Sequence, residues 1–198
     1  MKVLVATNNT GKLQEIREIL DGTGIEVISL SDVDSTGEPV EDADTFEENA
    51  IKKATFYARQ TNLPTIADDS GLCVDALNGA PGIHSARFSG TDANDDKNNA
   101  LLLNKMRQVP DAERTAHFAC SMVCVWPDGN ILTSSGRCDG VILREKKGNE
   151  GFGYDPLFFV PDLEKTFAQL EPKQKNSISH RGRALRKLAA QLPAFLSS

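Results

Sequence analysis

The first thirty residues constrain this chain most. Residues 2–6, apolar from Val3 to Ala6, read as a buried strand, and Asn8-Asn9-Thr10-Gly11 is a polar loop. Residues 12–20 then carry Leu13, Ile16, Ile19 and Leu20 at helical spacing. Val27-Ile28-Ser29-Leu30 reads as a second strand. A strand–loop–helix unit followed directly by another strand predicts mixed α/β structure.

The remainder continues the alternation. Residues 31–44 are acidic and loop-like, and Thr45-Phe46-Glu47-Glu48 is a capping box that starts a helix running to about Gln60. Leu63-Pro64-Thr65-Ile66-Ala67 leads as a strand into the acidic loop Asp68-Asp69-Ser70-Gly71, and Leu72-Cys73-Val74 is extended again. Gly79-Ala80-Pro81-Gly82 is a turn, and a helix near 92–107 carries Leu101, Leu102 and Met106. Pro127-Asp128-Gly129-Asn130 predicts a hairpin between strands over 116–126 and 131–137, with 140–144 extending the sheet. A Gly-rich loop at 148–156, a short strand at 157–160 and a helix from Ser179 complete the chain. No Pro/Gly/Ser linker separates two halves, so one α/β domain over 1–198 is expected.

The chain has 198 residues, enough to bury a sizeable core, with 39% hydrophobic and 25% charged residues. No apolar run approaches the roughly 18 residues of a membrane span. The N-terminus opens on a strand pattern without a signal-peptide layout, which predicts a cytoplasmic protein with no membrane partner. A net charge of −6 argues against a nucleic-acid-binding surface. The cysteines Cys73, Cys120, Cys124 and Cys138 match no metal-site spacing. Period-2 counting puts Phe118, Cys120, Met122, Cys124 and Trp126 on one strand face, as core. His84 and His117 lack ligand-spaced partners and read as structural.

Five segments carry candidate chemistry. Thr7, Asn8, Asn9, Thr10, Gly11 and Lys12 sit between a strand end and a helix start, where free N–H groups favour an anion. The second glycine and Lys-Ser/Thr pair of a Walker A loop are absent, and an ordinary helix cap explains the loop equally well. Lys12 opposes the helix dipole, so function accounts for it better than stability. Lys53 follows the apolar stripe Phe46, Ala50, Ala54 and Tyr57, shared by Asn49; an inward lysine needs an anion unless it snorkels to water. Lys52 is predicted to pair outward with Glu48. Asp68 and Asp69, if extended, point opposite ways. One can hold Mg²⁺ or act as a base while the other supports the loop, unless the segment is only a turn. Glu38, Glu41, Asp42 and Asp44 are available to complete a metal site, or form a merely solvated acidic loop. In Phe152, Gly153, Tyr154 and Asp155, glycine beside aromatics permits close approach and stacking of a base, or simply a hinged loop. Lys175, His180 and Arg181, at the opening of the last helix, suit a phosphate or base carbonyl, or a solvated basic turn. Three cationic spots, an acidic pair and an aromatic–glycine loop together suit a nucleotide with a polyphosphate tail.

The set Thr7–Lys12, Thr45–Ala50, Ala67–Leu72, Gly79–Arg87, Gly151–Pro156 and Ser179–Gly182, in order along nearly the whole chain, closely resembles the inosine/xanthosine triphosphate pyrophosphatase family. The resemblance implies an elongated mixed α/β fold with a central twisted sheet, two lobes and a substrate cleft between them. It implies a homodimer that converts ITP, dITP and XTP to the monophosphate and pyrophosphate with Mg²⁺, cleansing the nucleotide pool. Carried over, Thr7 to Lys12 and Lys53 hold the phosphates, with Asn9 and Lys12 foremost. Asp69 is the catalytic base and a metal ligand, Glu41 is the second metal ligand, and Ser70 binds substrate. Phe152 to Asp155 hold the base with Phe152 stacking, and Lys175, His180 and Arg181 complete recognition. Asn8 departs from the glycine of many relatives, but asparagine tolerates a left-handed backbone.

Overall fold

In the computed structural model, which describes residues 1–196, seven strands form one sheet in the order β2-β1-β3-β4-β5-β6-β7. The strands are β1 (Lys2–Val5), β2 (Glu26–Ser29), β3 (Thr65–Val74), β4 (Thr115–Val125), β5 (Ile131–Ile142), β6 (Phe158–Val160) and β7 (Lys165–Thr166). The helices are α1 (Thr10–Leu20), α2 (Phe46–Thr61), α3 (Asp95–Lys105), α4 (Pro172–Ile178) and α5 (His180–Phe195). The chain divides into two compact units: residues 1–69, 120–136 and 181 onward, and residues 70–119 with 137–180.

In the first unit β1 lies between β2 and β3 and runs parallel to both, pairing Val3 with Val27 and Val5 with Ile66. A parallel neighbour requires a crossover, which α1 supplies between β1 and β2. Such strands bury both faces, and here each face has its own core. Val3, Val5, Ile16, Leu20, Cys120, Met122, Cys124, Leu185, Leu188 and Leu192 pack together on one side; Leu4, Ala50, Ala54, Tyr57, Val123 and Val125 pack on the other. Helix α2 begins where Thr45 accepts the Glu48 N–H at 3.1 Å. Glu48 turns its carboxylate to the Thr45 hydroxyl instead of completing the backbone half of the predicted box. Helix α2 ends at Asn62, whose N–H still bonds Ala58 O while its left-handed φ of 54° turns the following chain out of the helix.

In the second unit β6 pairs antiparallel with β5 and β7 around a core of Leu72, Leu102, Met106, Phe118, Tyr154, Leu157, Phe158 and Phe167. The expected face of β4 is therefore buried, but Phe118 joins this core while Cys120, Met122 and Cys124 join one in the first unit.

Four expectations are corrected. The segment 68–71 is no loop: β3 runs unbroken for ten residues through Asp68-Asp69-Ser70-Gly71. Lys52 pairs with Asp42 at 2.6 Å, not Glu48, because Glu48 is held by Thr45 at the helix start. Lys175 lies on the separate helix α4 and does not open α5. Asn8 does not adopt the left-handed backbone, so its substitution for glycine needs no special tolerance.

Candidate functional site

Because β3 is extended, successive side chains alternate, and the two aspartates enter different surroundings. Asp68 is only 2% exposed. It accepts Lys12 Nζ at 2.8 Å and Arg181 Nε at 3.4 Å, while Arg181 Nη1 also meets Glu15 at 2.8 Å. Burial alone would raise its carboxyl; Lys12, Arg181 and Lys53 outweigh that and hold it far below the usual carboxylate range. Asp68 is thus the anchor that fixes two cations, and it answers the question of why Lys12 tolerates an unfavourable place in the first turn of α1.

Asp69 faces α2. Asn49 Nδ2 donates to its Oδ2 at 3.1 Å, and Asn49 Oδ1 accepts the Ala43 N–H at 2.9 Å, so one buried amide ties the acidic segment to the strand. Lys53 Nζ pairs with Glu41 at 2.7 Å and donates to the Asp68 carbonyl at 3.3 Å. Burial opposes the Lys53 ammonium, but the charges of Asp68 and Glu41 prevail and its pKa is raised. Asp69 moves the other way from its neighbour: burial raises it, the Asn49 bond and Lys53 lower it, Glu41 raises it, and the net direction is up. A carboxylate poised this way is a better proton acceptor than an ordinary aspartate.

Asp69 and Glu41 are hard oxygen donors near enough for one charge to be felt at the other. Among the described residues no group of three or more His, Cys, Asp and Glu converges on one point. Two carboxylates nevertheless fit Mg²⁺, which fills its remaining positions with water and substrate phosphate. Asp42 is drawn off to Lys52. A cavity of about 220 Å³ opens beside this centre, lined by Thr7, Asn8, Glu38, Glu41, Lys53 and Tyr57. Within the Thr7–Lys12 loop Asn9 caps α1, accepting the Lys12 N–H at 3.0 Å, and its own N–H donates to Thr7 Oγ1 at 3.2 Å. The helix-cap reading of the loop therefore holds for Asn9, while Asn8 and Thr10 are exposed.

The second unit holds the other candidates. Asp155 Oδ2 accepts Lys175 Nζ at 2.6 Å and the Phe152 N–H at 3.0 Å. Lys175 Nζ lies 4.8 Å from the Phe152 ring centroid and 5.7 Å from that of Phe167. Tyr154 donates its hydroxyl to Ser85 O at 2.8 Å and is buried in the core, so it supports the loop from beneath. The His180 ring stacks on Phe118 at 4.7 Å and 9°. Lys175, Asn176, Ser179 and His180 are all buried, as is Arg181 in the first unit, which excludes a solvated basic turn. Burial pushes the Cys124 thiol up to about 12 and Cys120 higher still, so neither is a nucleophile.

Sequence reasoning brought out Asp69, Lys53, Glu41 and Lys12 but missed Asn49 and Tyr57 as parts of the site. Asn49 carried a signal: it lies four residues before Lys53 on the inward face of α2. Tyr57 carried none, because an apolar stripe does not reveal that a ring borders a cavity.

The fold and these two sets define an α/β protein with a carboxylate–lysine centre suited to a phosphorylated ligand. The chain belongs to the Ham1 family, whose profile matches residues 3–191. It is 52% identical over 187 residues to a dITP/XTP pyrophosphatase of Desulforamulus reducens, covering 94% of this chain and 93% of that protein. It is 53% identical to a dITP/XTP pyrophosphatase of Geobacter sulfurreducens, covering 93% and 92%. The solved structure of a HAM1 protein from Coxiella burnetii superposes with a TM-score of 0.91 at 40% identity, covering 98% of this chain and 99% of that one.

Proposed function

We propose that this chain hydrolyses the deaminated purine nucleoside triphosphates dITP, ITP and XTP to the monophosphate and pyrophosphate, in the presence of Mg²⁺. The observation that carries the reading is the division of labour between adjacent carboxylates on β3: Asp68 bound to Lys12 and Arg181, and Asp69 raised beside Lys53 and Glu41. A polyphosphate tail offers what the first set asks for, and an oxo-purine offers what the aromatic, donor-rich second set asks for. The family and its dITP/XTP pyrophosphatase relatives support the same substrate class.

In the reaction a water oxygen bonds to the α-phosphorus, the bond from that phosphorus to the bridging oxygen breaks, and pyrophosphate leaves with the electron pair. Asp69 takes the water proton and releases it to solvent. Lys12 and Lys53 meet the charge that builds on the phosphate oxygens, and are held in place before substrate arrives. Asp69 and Glu41 would hold Mg²⁺, which when bound supplies charge neutralisation and activation of water. A donor matched to the 6-oxo group leaves a mispaired contact with the amino group of ATP, which costs heavily in a buried site. We assign the chain as a homodimer in the cytoplasm that clears the nucleotide pool. No helix among the described residues is long and apolar enough to cross a membrane.

Pyrophosphate release from ITP, XTP and dTTP with Mg²⁺ tests the reading. Turnover of ITP and XTP is expected; turnover of dTTP with none of ITP would point to another modified-nucleotide pyrophosphatase. Tight ITP binding without hydrolysis would make the chain a nucleotide-responsive regulator instead. Elution at twice the chain mass tests the dimer.

A further inference from the structure

Helix α3 lies outside every segment assigned a chemical role above, yet it grips the aromatic–glycine loop at its centre. Asp95 Oδ2 accepts the Gly153 N–H at 2.6 Å, and Asn99 Nδ2 donates to the Gly153 carbonyl at 2.8 Å. Asp95 and Asn99 are four residues apart and so share one face of the helix. They take both backbone groups of a single residue, the arrangement that leaves a peptide least freedom. Gly153 has a φ of +62°, so its left-handed bend is held from outside as well as permitted by glycine. On one side of it stands Phe152, and on the other Tyr154, which leads to Asp155.

The grip is not needed to dock α3. Leu102 and Met106 bury that stretch in the core of the second unit. Asn98, one position before Asn99, independently fixes the turn beneath Tyr154, donating to Ala86 O at 3.0 Å and accepting the Ser89 N–H at 2.9 Å. Asn99 is 1% exposed; besides Gly153 its Nδ2 also donates to Asp95 O at 2.7 Å, and its Oδ1 has no hydrogen-bond partner among the described residues. An apolar side chain would avoid that unmatched acceptor, so the amide is retained for what its Nδ2 does. Asp95 stands in the first turn, where any carboxylate favours the dipole; Asp96 beside it does so equally, but turns outward to Lys146 at 2.6 Å.

We infer that Asp95 and Asn99 are positioning residues that set the height of the Phe152–Asp155 loop and thereby how tightly an oxo-purine is held. This rests on the proposed substrate class, because it takes that loop as the base-binding element.

Asp95→Ala and Asp96→Ala make a matched pair, each deleting one first-turn charge. Asp95→Ala is expected to raise KM for ITP about tenfold, the worth of one charge-assisted hydrogen bond, with kcat within about twofold. Asp96→Ala is expected to behave as the unaltered protein, and Asp95→Asn, which keeps an acceptor oxygen, to recover most of the loss. Asn99→Leu should repeat the KM effect from the other side of Gly153. Unchanged KM in both Asp95→Ala and Asn99→Leu overturns the inference. So does a fall in kcat and melting temperature at constant KM, which marks a merely structural contact. Amide exchange at Gly153, followed by NMR without nucleotide, separates this from the substrate reading. Slow exchange that becomes fast in Asp95→Ala but not in Asp96→Ala is expected, and a Gly153 amide already fast in the unaltered protein refutes the clamp. If the clamp is seen but ITP is neither bound nor hydrolysed, the substrate reading has failed, and the inferred effect on purine binding with it.

Discussion

Asp68→Asn and Asp69→Asn should have opposite consequences although the residues are adjacent and the substitutions identical in shape. Asp68 is buried with Lys12 and Arg181, and removing one partner of a buried ion pair costs about 3–5 kcal/mol because it strands the other charge. The structure selects the lower end. Lys12, 18% exposed at its side chain, can swing toward water, and Arg181 keeps Glu15. About 3 kcal/mol in a chain of this length lowers the melting temperature by roughly 6–12 °C. Asp69 sits where burial makes its charge unfavourable, so a neutral isostere should leave the melting temperature within about 2 °C of the original or raise it. Its loss should instead remove a general base, lowering kcat by at least about 100-fold. Thermal melts by circular dichroism and pyrophosphate release with ITP measure the two effects. An Asp68→Asn protein that melts within 2 °C of the original, or an Asp69→Asn protein that is as unstable as Asp68→Asn, would refute the division of roles.

Lys175→Met should cost about 3 kcal/mol in urea unfolding, because Asp155 stays buried without its cation; adding Asp155→Leu should recover part of that loss. Chelation of divalent ions should abolish turnover without lowering the melting temperature by more than a few degrees, and Mg²⁺ should restore it. Thr45→Ala, which removes the acceptor for the Glu48 N–H, should destabilise by about 1 kcal/mol in the same urea assay. Burial, then the Arg137 charge, lowers the pKa of His117, so the folded protein resists a proton that the unfolded chain accepts. Its contribution is present above the unfolded value near 6.5 and is lost as pH falls below it. His117→Gln should therefore flatten the decline of melting temperature between about pH 7 and 5; an unchanged slope would show that His117 carries none of it.

Local patterns were legible wherever a periodic apolar run met a strong start or stop. Thr45 before α2, the Pro127–Asn130 turn and the apolar alternation of β4 all appear where the sequence places them. The inward position of Lys53 followed from its stripe, and its need for an anion is met by Glu41. The strand through Asp68-Asp69-Ser70-Gly71 was not legible. Aspartate, serine and glycine all disfavour strands, and only partners far along the chain reverse that preference. Lys12 and Arg181 lie 56 and 113 residues from Asp68, and no local rule reaches them. Lys52 failed for the same reason: an i,i+4 pairing was available, but Asp42 came within reach once the acidic segment folded back over α2.

Residue types and their order therefore settled which groups this chain has for chemistry: two adjacent carboxylates, inward lysines, and a glycine loop between aromatics. They settled the α/β class as well, since both rest on short-range periodicity that sterics and burial impose on any chain. Tertiary structure alone decided which partners surround each group. The acidic segment, read from sequence as a loop with one carboxylate for metal or base and the other for support, is a strand that carries the two into different surroundings. One is held deeply ionised by two cations, and the other is raised by burial and by Glu41. The charge state of a carboxylate depends on what surrounds it in space, and those neighbours are set by the packing of distant segments.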